Sequence, residues 1–269
     1  MDKLQWSRVI TKELISLNLN EVHVWRVDLD ITPLSKNRLL GLLSTDERER
    51  AGRFRFERDQ KRFIAARGML RQILGYYLGI PPQELRFKYT SHGKPFLVTN
   101  AGYDTLQFNL SHSDAVALLA ITPDRDIGID IERIRCDVAV GQIANSFFSS
   151  NEIISLERID DDQRSGVFFQ YWTRKEAILK AVGEGVLARM QQFDVSLISE
   201  RVLLPHVLAG DKRESSDWHV QDLCPGRGYV AAIAVEGSDC DLSCWQYSEG
   251  GLITGFAGQF DSQCAEIRG

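Results

Sequence analysis

The 269-residue sequence predicts an α+β fold, and three observations predict it. Stretches that alternate apolar and polar residues, the period of a half-buried strand, are interleaved with stretches of helical period. The order of those stretches occurs twice along the chain. Length and a hydrophobic fraction of 43% suit one large or two small globular domains with a real core.

Taken in order, "VHVWRVDL" (22–29) reads as a strand, and helices fit 44–54 and 57–79. The second helix stops at Gly79, with Pro81 and Pro82 beyond it as terminators. Strands follow at "LRFKYT" (85–90), "LQFNLS" (106–111), "AVALLAI" (115–121) and "IGIDIERI" (127–134). Helices at 149–158 and 166–182 come next, then strands at "FDVSLI" (193–198), "WHVQDL" (218–223) and "YVAAIAV" (229–235). Strand 22–29 followed by "LSTDERERAGRF" resembles strand 127–133 followed by "FSSNEIISLERI", and matching elements lie roughly 104 to 114 residues apart, as a duplication would leave them. An α+β chain also shows some such order by chance, and on element order alone the two readings stand level. Under duplication the boundary falls near "TPDRD" (122–126), giving subdomains 1–123 and 124–249 and a tail, 250–269, without clear period.

A net charge of −5 argues against a general nucleic-acid binder. The longest apolar run, 115–121, is too short to cross a bilayer, and residues 1–16 lack the apolar centre of a signal peptide. The expectation is a cytoplasmic protein with neither nucleic acid nor membrane as partner. Five cysteines form no CxxC pair, so zinc is a weak reading.

Four stretches carry candidate chemistry. In "DIGIDIERI" (126–134), Asp130 and Glu132 project from one face of a strand. At ~5 Å and an effective dielectric of ~20 they repel by roughly 3 kcal/mol. A hard divalent cation would turn that repulsion into attraction; a solvated strand partnered by Arg125 and Arg133 is the alternative. In "YWTRKEAILKAVGEG" (171–185), Trp172, Glu176 and Lys180 form one helical stripe, either an acid and a phosphate-binding base or an ordinary solvated pair. "SHGKPFL" (91–97) reads as a turn presenting Lys94, and "FNLSHSDA" (108–115) ends a strand at Ser111 and His112. Neither is a P-loop, and no GxGxxG or GxSxG is present. The arginine-rich segment 47–71 offers Arg50, Arg62 and Arg67 as forks for a phosphate, or else a solvated helix face.

In this order, "GKP" (93–95), "FNLSHS" (108–113), "GIDIE" (128–132), "FFS" (147–149) and "WTRKEAILKAVGEGV" (172–186) resemble the 4'-phosphopantetheinyl transferases of the Sfp type. The resemblance runs from about residue 20 to 235. It implies two similar α+β subdomains related by pseudo-twofold symmetry, with the active site between them. It implies coenzyme A as donor, a serine of an apo carrier protein (acyl, polyketide or peptidyl) as acceptor, and Mg2+ as cofactor. Asp130, Glu132 and Glu176 match the family's magnesium ligands, and Lys180 its pyrophosphate-contacting lysine. Gly93, Lys94, Pro95, Ser111 and His112 match positions at the nucleotide end, with Arg50 and Arg62 near the 3'-phosphate. The chain departs from the family pattern at Glu47, where close relatives can carry a further basic residue, at Asp114, where glycine often stands, and after "GEG", where it reads "VLARMQQ". Two units in one chain imply a monomer. The competing expectation is a non-catalytic coenzyme A or carrier-protein binding module.

Overall fold

The computed structural model describes residues 6–7, 15–98, 106–183, 187–204 and 216–247. Its elements run β1 (Trp6–Ser7), β2 (Glu21–Asp28), α1 (Pro33–Leu40), α2 (Thr45–Gly52), α3 (Glu57–Leu78), β3 (Phe87–Tyr89), β4 (Pro95–Leu97), β5 (Leu106–Ser113) and β6 (Val116–Pro123). They continue with β7 (Ile127–Arg133), α4 (Val140–Phe147), α5 (Ser150–Glu157), α6 (Asp161–Val182), β8 (Arg201–Leu204), β9 (Ser216–Leu223), β10 (Tyr229–Glu236) and β11 (Asp241–Gln246). The fold is α+β, as expected.

The repeat is present as topology. The first sheet runs β1-β11-β2-β6-β5 and the second β7-β10-β9-β8, so β2-β6-β5 and β7-β10-β9 hold the same chain order in space. Both triplets are antiparallel. α2 and α5 are each eight residues long and open with a capping box, Ser44 with Glu47 and Ser149 with Glu152. α3 and α6 are each 22 residues long and end on a left-handed glycine, Gly79 at φ 65° and Gly183 at φ 80°.

Three apolar clusters fix the layering. One joins α1 and α3 to the outer faces of β2 and β6, and a second joins α6 to those of β9 and β10. The third lies between the sheets, where Val22, Val24, Leu118 and Ala120 meet Ile127, Ile129, Ile131, Ile233 and Val235. The layers are therefore helix, sheet, sheet, helix. The alternation in "IGIDIERI" follows directly: its isoleucines face the other sheet and its acids face α6.

Segment 193–198 is not a strand. Phe193 and Val195 are buried as a strand pattern would bury them. Their backbone groups, however, are taken by side chains: Lys175 donates to the Phe193 carbonyl (2.6 Å), Glu152 accepts from the Val195 amide (2.8 Å), and Arg174 donates to the carbonyls of Ser196 and Ser199. These side-chain bonds stand where ladder bonds would, and β9 pairs with β8 at 201–204 instead. Helix α6 begins at 161 rather than 166, and α1, α4, β4 and β11 are additional elements. The tail 250–269 and residues 184–186 lie outside the described residues.

Candidate active site

The site begins with one absent side chain. A Cβ on Gly128 would stand 2.0 Å from the Ala177 carbonyl oxygen and 2.5 Å from the Ala181 amide nitrogen, so only glycine lets α6 lie directly on β7. That close approach brings the Lys180 ammonium to Asp130 Oδ1 at 2.5 Å and to Ser111 Oγ at 3.0 Å. Ser111 Oγ also donates to Asp130 Oδ1 (2.9 Å). Asp130 is 4% exposed, and its second oxygen, Oδ2, is buried without a hydrogen-bond partner.

The alternate polar residues of "FNLSHS" stitch β5 to the edge of β7. Asn109 Oδ1 accepts from the Ile129 amide (2.9 Å), and Ser113 Oγ accepts from the Arg133 amide (3.1 Å) while donating to Glu132 Oε2 (2.9 Å). Side chains thus replace a backbone ladder where the two sheets meet, and the same bonds orient both acids.

Electrostatically, Lys180 is a cation that opposes the mutual repulsion of three carboxylates. Burial pushes the Glu176 carboxyl up to about 7, with the Asp130 and Glu132 charges adding to the rise and Lys180 opposing it. Glu132 is raised by burial, against its Ser113 bond, and again by Asp130. As placed, no three Asp, Glu, His or Cys side chains among the described residues form a closed metal site. The donors nevertheless fit a hard divalent ion: carboxylate oxygens, one of them orphaned, in a cluster whose negative charges resist one another. Magnesium sites usually take only one or two carboxylates and complete their shell with phosphate oxygens and water.

Beside the acids, a cavity of about 330 Å3 is lined by Gly93, Lys94 and Pro95 from the β3–β4 hairpin and by Glu176, Lys180 and Gly183 from α6. Thus most of the expected residues come together: Asp130, Glu132, Glu176, Lys180, Ser111 and the "GKP" turn. The Lys94 ammonium bonds the carbonyls of Lys180 (2.8 Å) and Ile127 (3.0 Å). His112 meets solvent at its edge, yet its imidazole is held below its usual value by partial desolvation and then by the charges of Lys180 and Arg62.

The arginines divide. Arg62 is clamped between Asp30 (3.0 Å) and Asp114 (2.5 Å), and Asp114 also binds Arg133. Arg50 is exposed, with its guanidinium 5.3 Å from the centre of the Phe63 ring. Arg67 does not join them, because it and Arg71 are buried on Glu47 at 2.6 Å each. Glu47 is thereby a structural anion away from the cavity, and Asp114 stands at φ 49°, a conformation in which glycine is at ease.

Sequence reasoning overlooked Lys175, which is fully buried and donates to Glu152 (2.9 Å) and to the carbonyls of Met190 and Phe193 (2.6 Å each). The signal was there: helical spacing places Lys175 on the face of Phe168, Tyr171 and Ile178, where a charge must have a dedicated partner.

Comparison with known proteins agrees with this architecture. A model of the 4'-phosphopantetheinyl transferase superfamily matches residues 126–234, and one for the N-terminal region of such transferases matches 32–124. The 4'-phosphopantetheinyl transferase HetI of Nostoc is 39% identical over 87% of this chain and 95% of its own length. The mouse L-aminoadipate-semialdehyde dehydrogenase-phosphopantetheinyl transferase is 31% identical over 73% of this chain and 68% of its own. The 4'-phosphopantetheinyl transferase of Bacillus subtilis is 28% identical over 64% of this chain and 74% of its own. Paired acids on a strand, a half-buried acid and lysine on the facing helix, and a doubled sheet thus occur in a chain that belongs to the 4'-phosphopantetheinyl transferase superfamily.

Proposed function

We propose that this chain transfers the 4'-phosphopantetheine arm of coenzyme A to a serine of an apo carrier protein, releasing adenosine 3',5'-bisphosphate. The observation that carries the proposal is the Asp130–Lys180–Ser111 cluster, with its orphaned carboxylate oxygen, beside a cavity lined by Glu176. In this reading the first subdomain (1–123) receives the nucleotide end, and the second (124–249) supplies the acids.

The serine oxygen attacks the β-phosphorus of coenzyme A, and the bond from that phosphorus to the bridging oxygen breaks. Such a displacement depends mostly on positioning and charge stabilisation. Asp130 and Glu132, with Glu176 beside them, would hold Mg2+, which when bound supplies a Lewis acid for the pyrophosphate oxygens. Glu176, or a water held by it, takes the serine proton. Lys180 offers positive charge to the departing phosphate. Ser111 and Ser113 keep the two acids oriented. The nucleotide lies against Gly93, Lys94, Pro95 and His112, with Arg50 and Arg62 toward its 3'-phosphate. One chain contains both walls of the cleft, so the enzyme works as a monomer. Its substrates place it in the cytoplasm, and among the described residues no helix is long and apolar enough to cross a membrane.

The test is intact-protein mass spectrometry of apo fatty-acid, polyketide and peptide-synthetase carriers incubated with coenzyme A and Mg2+. Wild type should add one phosphopantetheine arm to a serine. Glu176→Gln should still bind coenzyme A while transfer falls by about 100-fold or more. No gain on any carrier, with coenzyme A still bound, would leave a binding module in place of the enzyme.

A further inference from the structure

The β3–β4 hairpin belongs to the first half of the chain, yet its tip reaches the second. The turn is closed by Gly93 at φ 83°, by the Gly93 amide on the Thr90 carbonyl (2.9 Å), and by Thr90 Oγ1 accepting from the Lys94 amide (3.1 Å). A turn held this firmly sends the Lys94 side chain across the cavity. There its ammonium meets the carbonyl oxygens of Lys180 at 2.8 Å, Ile127 at 3.0 Å and Ala181 at 3.5 Å. An ammonium has three N–H donors, and three acceptors face this one. Two of them are carbonyls of the last turn of α6, which have no partner within the helix and carry the negative end of its dipole. The third opens β7, two residues before Ile129 and three before Asp130.

We infer that Lys94 is a positioning residue, a strut whose ammonium pins the last turn of α6 to the start of β7 and sets the width of the cavity, so that its side chain does not serve as a phosphate ligand. The consequence passes through the backbone of Lys180. Lys94 grips the carbonyl of the residue whose ammonium holds Asp130 and Ser111. Loss of the grip lets the α6 terminus lift, and Lys180 and Asp130 lose register with each other. What Lys94 offers to a ligand is then its backbone on the cavity wall, beside Gly93 and Pro95.

The inference rests on the transferase reading for its kinetic arm only. Lys94→Met keeps the length of the side chain and removes the donors. We expect the turnover number of arm transfer to fall about tenfold or more while KM for coenzyme A changes less than threefold. Hydrogen exchange of the amides of residues 179–183 and 127–129 should quicken about tenfold, with the amides of β9 unchanged. Lys94→Arg separates the roles even if the methionine variant fails to fold. Arginine serves a phosphate at least as well as lysine, but a planar fork does not fit three carbonyls converging on one point. The strut therefore predicts lost turnover and quickened exchange in Lys94→Arg with KM intact. A rise in KM for coenzyme A of tenfold in Lys94→Met, restored by Lys94→Arg, with exchange at 179–183 as in wild type, would overturn it. If wild type modifies no carrier, the proposed function fails, and the exchange measurements still decide for or against the strut.

Discussion

The two halves of this chain solve one structural problem identically and then part over chemistry. In each, a glutamate at the third position of a short helix closes a capping box and turns inward to a cation on the long helix that follows: Glu47 to Arg71, Glu152 to Lys175. Each cation then binds two carbonyls of the chain leaving that helix, Pro82 and Leu85 for Arg71, Met190 and Phe193 for Lys175. The pairs lie 104 to 105 residues apart, which is the offset of the repeat. Carried over at 105 residues, the helix-facing acids Asp130 and Glu132 correspond to Trp25 and Val27. At 104 residues, Glu176 and Lys180 correspond to Gln72 and Tyr76. The first half fills its space between strand and helix with rings, Tyr77 receiving the Trp25 indole N–H (2.9 Å) and bonding His23 (2.6 Å). The second half empties that space by placing Gly128 there, and the helix descends until Lys180 touches Asp130. The buried ion pair belongs to the fold. The site belongs to the half whose helix sits close to its strand.

The largest effect should come from the buried pairs, and it should differ between the halves. Lys175 is the cation that faces Glu152, whereas Glu47 keeps Arg67 when Arg71 is lost. Breaking a buried pair by removing one partner costs about 3–5 kcal/mol. Lys175→Ala should therefore lose that much in urea unfolding. Arg71→Ala should lose less, about 1–3 kcal/mol, the usual cost of stranding buried polar groups. Equal losses would mean that Arg67 does not compensate for the missing Arg71.

A second contrast is in pH. Burial holds the His23 imidazole down at about 4, with Glu21 opposing the shift. The unfolded chain takes up its proton near 6.5, so between about 6.5 and 4 the unfolded state binds more protons than the folded one. Stability from this residue is present above that window and is lost as pH falls through it. By the conversion of 1.36 kcal/mol per unit, the loss approaches roughly 3 kcal/mol. His23→Gln should flatten the slope of unfolding free energy against pH between 4 and 6.5. An unchanged slope would show that His23 is not buried in its neutral form.

Gly128 carries a smaller cost in stability with a larger one in activity. Gly128→Ala forces α6 off β7, an overpacking of about 1–3 kcal/mol. Because the displacement acts where Lys180 meets Asp130, transfer should fall far more than stability, by about 100-fold. A folded Gly128→Ala variant with wild-type turnover would remove close approach as the origin of the site.

Much of this was legible in particular residues. The period of "IGIDIERI" gives the strand and the side on which its acids stand, and glycines 79 and 183 give the ends of the long helices. Periodicity misled at 193–198, because burial of Phe193 and Val195 looks the same whether the backbone pairs with a strand or with buried cations. The fate of the arginines was not legible at all. Arg50, Arg62 and Arg67 are alike in sequence, and only their three-dimensional neighbours decide that Arg67 is buried on Glu47 and Arg62 is clamped by Asp30 and Asp114.

The smallest expected effect lies where the halves touch. Asp114, at the β5–β6 turn, bridges Arg62 of α3 and Arg133 at the end of β7, and these two guanidinium groups hold its carboxyl below the usual range. The bridge is partly open to solvent, so its net worth is at most about 1 kcal/mol. Asp114→Gly removes it but also relieves the left-handed backbone at φ 49°, and stability should move by less than about 1 kcal/mol either way. Binding should respond more clearly. If Arg62 meets the 3'-phosphate of the nucleotide, that phosphate competes with Asp114 for the same guanidinium. Removing the carboxylate should then tighten adenosine 3',5'-bisphosphate by up to about tenfold, or 1.4 kcal/mol, in calorimetric titration. Asp30 still holds Arg62 in the variant, which keeps the gain modest. Weaker binding in Asp114→Gly would mean that the bridge orients Arg62 for the phosphate instead of competing with it.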